Sequence, residues 1–286
     1  MYRLSSSNQP NECTFETEQI RGKIGSEGQQ HGFRDLEFKA NGSKPLNPSL
    51  YLGHIYRLLA DGRFMIQARD HPHAGRIEED RVVIRWEPLP EHPASIEAVY
   101  QVSGENTLDF TITCRLEQAM ERYELYLSHY FAPAFRPYLY LKAAPYQRSE
   151  EPVLWPAEVS EFFRGYYLAY PRDREALMTL FDGRWHGDHP VPFAVAREFA
   201  APVGVYASAY EKLAVVMTAR ADECFCLYST YNSPDGRDNI LHHNSFYFGM
   251  FNEDLPAGAE RTAHIRYHLV PWDTVSPLPL ELAAGG

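Results

Sequence analysis

Along residues 107–116 apolar and polar side chains alternate without a break. Leu108, Phe110, Ile112, Cys114 and Leu116 stand against Thr107, Asp109, Thr111, Thr113 and Arg115. A period of two marks a strand with one face on a core. The same period runs through Ile96-Ala98-Tyr100-Val102, Tyr123-Leu125-Leu127, Leu213-Val215-Met217 and Ala263-Ile265-Tyr267-Leu269. Turn-forming stretches lie between such runs, among them Ser103-Gly104-Glu105-Asn106, Ser233-Pro234-Asp235-Gly236 and Leu255-Pro256-Ala257-Gly258. A helical pattern is confined to Arg172–Phe181, where charge precedes apolar residues. Strands at spacings of roughly 8–15 residues with hardly any helix predict a large all-β sandwich or barrel.

Composition narrows the partners. The 286 residues carry 27 Lys and Arg against 38 Asp and Glu, a net charge of −11. Such a surface repels phosphate backbones and anionic lipid, so neither nucleic acid nor a membrane is expected as a partner. No apolar run approaches the ~20 residues of a membrane-spanning helix, and the first residues lack the apolar core of a secretory signal, so a cytoplasmic protein is expected. No Gly- and Ser-rich linker interrupts the middle, which predicts one domain over 1–286. Residues 1–49 are read as opening strands or a lid, and 271–286 as a loose tail. A monomer or an edge-paired homodimer is expected. Cys224 and Cys226 sit two apart on a predicted strand, so both point to one face, where disulfide geometry is rarely met. All four cysteines are read as reduced core residues.

Twelve histidines is a high count, and imidazoles move protons or bind metals near neutral pH. His71-Pro72-His73, with Glu78 following, resembles the first metal motif of the cupins, double-sheet β-barrels. That resemblance implies a site for Fe, Mn or Ni at His71, His73 and Glu78. Met65 and Arg85 stand where the flanking glycines belong, and Pro234-Asp235-Gly236 is not followed by a further histidine.

A longer series of landmarks uses the same histidines. Gly53-His54-Ile55-Tyr56-Arg57 is followed by Gly62-Arg63-Phe64, and His73-Ala74-Gly75 by Trp86. Then come Ala98-Val99-Tyr100-Gln101-Val102 with Asn106-Thr107-Leu108, Ser128-His129-Tyr130-Phe131, Gly187-Asp188-His189, and Asp254-Leu255-Pro256-Ala257-Gly258-Ala259-Glu260. In this order, over residues about 50 to 270, the sequence resembles the galactose mutarotase-like (aldose 1-epimerase) superfamily. The resemblance implies a large antiparallel two-sheet supersandwich that holds a sugar ring in a concave cleft. On the family's Asn-x-x-His-x-Tyr-Phe it implies His129 as catalytic acid. It further implies that His73, with His71, orients the ring oxygen, and that Arg57 and Asp188 hold hydroxyls. The family's general base is a glutamate. Registering Pro234-Asp235 on the family's Pro-Asp puts Ser229 at that position, and serine cannot serve as the base. Either the register differs, or another carboxylate such as Asp235 substitutes, or the cleft has lost mutarotation. No metal and no cofactor is expected on this reading.

Two faces bear on these roles. His129 alternates in phase with Tyr123, Leu125, Leu127 and Phe131, so it is either a core histidine or an inward-facing cleft group. Thr262, His264, Arg266 and His268 share one face of the last strand, either solvated or lining a groove for sugar hydroxyls. Trp86, Trp155, Trp185, Tyr231, Tyr166 and Tyr167 are candidate stacking rings. The chain has no Gly-x-Ser-x-Gly elbow, phosphate loop, dinucleotide fingerprint or His-Glu-x-x-His. Three functions are therefore carried forward. The first is a carbohydrate-active enzyme, epimerase-like or running a glycosidase or lyase reaction; the second is a non-catalytic glycan-binding protein. The third is a cupin-like metalloenzyme. Bound metal separates the third from the others, and catalysed anomer exchange separates the first from the second.

Overall fold

The alternating runs form strands because each can bury one face while its backbone pairs on both sides. A computed structural model describes residues 2–7, 9–26, 28, 30–143, 151–157, 166–186, 192–230 and 244–273. In chain order the strands begin with β1 (Ser5–Ser6), β2 (Glu12–Glu16), β3 (Ile20–Gly25), β4 (Gly32–Phe38), β5 (Leu52–Ala60) and β6 (Arg63–Gln67). A 3-10 turn at Ala68–Asp70 leads to β7 (His73–Ile77), β8 (Arg81–Trp86), β9 (Ala94–Gly104) and β10 (Thr107–Leu116). Next come β11 (Met120–Phe131), β12 (Arg136–Leu141), β13 (Val153–Pro156) and β14 (Tyr167–Pro171), then helix α1 (Arg174–Thr179). The remainder comprises β15 (Phe193–Val195), β16 (Phe199–Ser208), β17 (Leu213–Ala219), β18 (Cys224–Thr230), β19 (Asn244–Leu255) and β20 (Glu260–Pro271).

These strands make two large sheets. The first runs β1-β2-β3-β4-β5-β11-β19-β18-β14-β15, with β6 also on β5. The second runs β13-β12-β16-β17-β20-β10-β9-β8-β7. Among the described residues only β14 and β15 pair in parallel. The expected all-β, antiparallel two-sheet sandwich is what forms, and the five alternating runs fall on β10, β9, β11, β17 and β20. Leu108, Phe110, Ile112, Leu125, Leu127, Ile265 and Leu269 are fully buried in one cluster that fills the space between the sheets. Each such side chain contributes about 1.5–3 kcal/mol on burial.

Residues 5–38 supply β1–β4 and extend the first sheet, so strands, not a lid, occupy that part of 1–49. At the other end β20 pairs Pro271 with Leu213, so the chain is still strand where a loose tail was expected to begin. Cys224 and Cys226 correct a second expectation. A bulge between them breaks the alternation, so Cys224 joins the inter-sheet core while Cys226 joins a cluster on the outer face. All four cysteines are free and buried.

Helix α1 lies inside the predicted Arg172–Phe181 stretch. The Asp173 carboxylate caps it by accepting from the Ala176 amide at 2.9 Å. So short a helix needs packing to persist, and Ala176 and Leu180 press onto the outer face of the first sheet. Among the described residues no helix is long and apolar enough to cross a membrane.

Candidate functional site

Strand β11 sorts the candidate residues. Tyr123, Leu125, Leu127, His129 and Phe131 point toward the second sheet. Glu124, Tyr126, Ser128 and Tyr130 take the opposite, outer face. His129 is fully buried. Its Nδ1 donates to the Phe246 carbonyl at 3.1 Å, so Nε2 accepts from the Tyr267 hydroxyl of β20 at 3.0 Å. Burial drives its pKa down to about 3, so the ring is neutral. His129 is thus a core cross-link between the sheets, which corrects its placement in the cleft. The apolar half of the alternation faces the partner sheet, and the histidine follows it. Counting back from Tyr130-Phe131 along His-x-Tyr-Phe puts Ser128, on the outer face, at the family's histidine position. The Ser128 hydroxyl donates to the His54 carbonyl at 3.3 Å.

Other predicted residues separate. His71 is buried; its Nδ1 donates to the Pro72 carbonyl at 3.0 Å, and its ring meets His92 at 6.1 Å. Nδ1 of His73 donates to the His71 carbonyl at 2.9 Å, and its ring lies 5.1 Å from Trp86 and 5.9 Å from His31. His31 in turn meets His54 at 4.3 Å and has its tautomer fixed by the Ile55 amide, which donates to Nε2 at 3.1 Å. The two histidines of His71-Pro72-His73 therefore serve different neighbourhoods. Glu78 is engaged by Arg81 at 2.5 Å and by Arg76. Among the described residues no group of three or more His, Cys, Asp or Glu could hold a metal ion, so the cupin-like reading gains no support. Asp188 and Asp235, like His189 and Tyr231, lie outside the described residues.

Arg57 does stand on the outer face. Its guanidinium lies 5.2 Å from the Tyr56 ring, 5.3 Å from Phe64 and 5.8 Å from Trp185. Around it the first sheet carries an aromatic floor. Tyr126 and Tyr247 stack at 4.8 Å and 13°, and Tyr247 also meets Tyr167 at 5.2 Å and Tyr56 at 6.3 Å. Hydroxyls border the rings: Ser245 donates to the Tyr247 oxygen at 2.9 Å and lies 3.2 Å from Thr230 Oγ1. Arg69 sits 5.6 Å from the Tyr56 ring. Trp185, from the segment after α1, closes one side at 5.1 Å from Tyr126. Ser229 faces the other way, with its hydroxyl 3.5 Å from the Ala157 carbonyl.

Below this floor lies a group the motifs missed. The Glu124 carboxylate accepts from Arg184 Nη1 at 2.6 Å, both side chains being fully buried. Burial pushes its pKa up to about 7 against the pull of Arg184. One signal was available: Glu124 shares its phase with Tyr126, Ser128 and Tyr130, the non-aliphatic half of a run whose other half is core.

The predicted polar face of β20 is the outer face of the second sheet, and its groups satisfy one another. Arg266 grips Asp109 through two bonds of 2.7 and 3.1 Å, His264 meets Glu223 at 2.7 Å, and Thr262 meets Thr113 at 3.1 Å.

No protein-family model matches the chain, and no curated protein matches its sequence. Solved structures do match in shape. A candidate aldose 1-epimerase from Escherichia coli K12 is similar at 10% identity and a TM-score of 0.51, over 95% of this chain and 99% of that one. A candidate mutarotase from Salmonella typhimurium is similar at 8% identity and a TM-score of 0.52, over 94% of each chain. A 4-alpha-glucanotransferase from Thermococcus litoralis matches at 8% identity and 0.50, over 94% of this chain and 39% of that one. The fold is that of the galactose mutarotase-like β-sandwich.

Proposed function

We propose that this chain binds a sugar ring on the outer face of its first sheet. The half-buried Tyr56 and Tyr167 rings, backed by the buried Tyr126–Tyr247 stack and bordered by Arg57, carry the reading. Sugar rings offer C–H faces that stack on aromatic rings, and hydroxyls that take hydrogen bonds from a guanidinium and exchange them with side-chain hydroxyls. The candidate aldose 1-epimerase and candidate mutarotase that share the fold support a sugar as the ligand.

Binding is favoured over anomer exchange. Mutarotation needs a proton donor at the ring oxygen and an acceptor at the anomeric hydroxyl. Here Ser128 stands where the family's histidine would, and Ser229 is turned away from the face. Calorimetric titration with a panel of aldoses and short oligosaccharides, run beside polarimetry, tests the reading. Saturable binding that weakens about tenfold, or about 1.4 kcal/mol, in Arg57→Ala is expected, without catalysed exchange. Exchange above the spontaneous rate restores the epimerase; the absence of binding to every sugar refutes the proposal.

A further inference from the structure

The segment that places Trp185 on the aromatic floor is anchored to the first sheet through Arg184. Arg184, fully buried, spends its guanidinium on three acceptor groups. Nη1 donates to Glu124 at 2.6 Å; Nε and Nη2 both reach the Asp182 carboxylate, at 3.0 and 2.9 Å; and Nη2 also donates to the Arg122 carbonyl at 2.9 Å. Three of these contacts are local or to backbone. Glu124 and the Arg122 carbonyl, both on β11, tie the segment to the middle of the first sheet, and of the two only Glu124 can change its charge.

The carboxylate has a place made for it. A Cβ on Gly249 would fall 2.9 Å from Glu124 Oε1 and 2.9 Å from the Phe225 ring, so a side chain at this position on β19 would displace one of them. The surrounding backbone is also unusual. Arg122, Phe251 and Asn252 have positive φ of 48°, 75° and 63°, and Asn252 Nδ2 donates to Thr179 at the end of α1 at 2.9 Å. Non-glycine residues in this region cost free energy and persist where the neighbourhood holds them. The next residue, Trp185, then packs on Tyr126 at 5.1 Å and Tyr228 at 5.9 Å, with the Arg57 guanidinium 5.8 Å away.

Resting on the sugar-binding reading, we propose that Glu124 and Arg184 form a proton-sensitive latch that positions Trp185 and thereby sets the affinity of this face. Neither latch residue touches a ligand; both act through Trp185. The charged form of Glu124 holds Arg184 by a charge-assisted bond, and a proton on the carboxyl replaces it with a weaker one. Titratable and charged neighbours face Glu124 from every side. They are Arg184 and Asp182 from the latch segment, Arg57 from β5, Tyr126 from its own strand, and Cys226 and Tyr228 from β18. Burial raises the Glu124 pKa to about 7, which places the transition in the neutral range.

The test reads Trp185 directly. Acrylamide quenching of the full chain, with the Trp185→Phe protein subtracted to remove the other three tryptophans, reports how tightly this indole is held. Between about pH 8 and pH 6 the quenching constant should rise about threefold with a midpoint near 7 in the wild type. Glu124→Gln should show the low-pH value throughout, and Glu124→Asp a partial profile. A Trp185 signal flat across that range in the wild type overturns the latch whether or not the variants fold. So does a wild-type profile retained in Glu124→Gln. Sugar titrations over the same range separate this proposal from the reading beneath it. Affinity that falls with the quenching transition supports both. A quenching transition without binding of any sugar removes the sugar reading and the latch's role in it, whereas binding with pH-independent affinity overturns only the linkage.

Discussion

The two faces of β11 handle polar groups in opposite ways. On the inner face His129 is neutral, and both its nitrogens are used in tying β11 to β19 and β20. At the sandwich's side His92 places Nε2 3.0 Å from the Tyr123 hydroxyl. On the outer face charged groups stand beside rings and hydroxyls: Arg57 lies against aromatic faces, and Glu124 keeps Oε1 without a hydrogen-bond partner among the described residues. A buried group whose bonds are all made cross-links the fold, while one held next to unspent capacity can respond to something else. Phase along the strand, more than residue type, decides which role a histidine or a carboxylate takes.

The comparison breaks first, and by the largest amount, with acid. Burial lowers His54, His92 and His129 to about 3, below the ordinary histidine value. The unfolded chain therefore takes up protons that the fold refuses. Stability is undiminished above about pH 6.5 and falls as pH drops from there toward 3, at about 1.4 kcal/mol per pH unit per histidine. Three such groups together should cost about 8 kcal/mol by pH 4.5, measured by denaturant unfolding at pH 7.5 and 4.5. A slope of one proton or fewer would show that these rings are not held neutral.

A smaller effect separates the outer face. Arg184→Met leaves Glu124 buried without its charged partner and should destabilise by about 3–5 kcal/mol at pH 8, and by less at pH 6, where the carboxyl takes a proton. Thermal unfolding at the two pH values checks both the size and the direction. His129→Gln probes the inner face: it should cost about 1–3 kcal/mol by stranding the Tyr267 hydroxyl while leaving sugar affinity unchanged. Lost affinity at full stability would return His129 to the cleft. Least of all, Arg266→Gln on the second sheet's outer face should change stability by less than about 1 kcal/mol and leave sugar affinity untouched.

Strict period-two runs made β9, β10, β11, β17 and β20 legible, because each buries one face against a single core. The phase of His129 was legible too; what misled was the direction of that phase, since an apolar face reads alike whether it meets a partner sheet or a cleft. Alternation also failed at the Cys224–Cys226 bulge, where backbone geometry leaves no mark in side-chain type. The aromatic floor was harder to see. Tyr126, Tyr167 and Tyr247 come from three strands distant in sequence, and only the sheet order β11-β19-β18-β14 brings them together. Arg57 was singled out through a motif, whereas Arg184 and Glu124 pair across 60 residues with no local pattern.

The sugar-binding claim is met most directly by following tyrosine ring resonances in labelled protein during titration with the aldose panel. Saturable shifts at Tyr56, Tyr126, Tyr167 and Tyr247, with Tyr267 between the sheets unmoved, are the expected result. Tyrosine rings that stay fixed at every sugar concentration, or saturable shifts confined to the Thr262–His268 face, would contradict it.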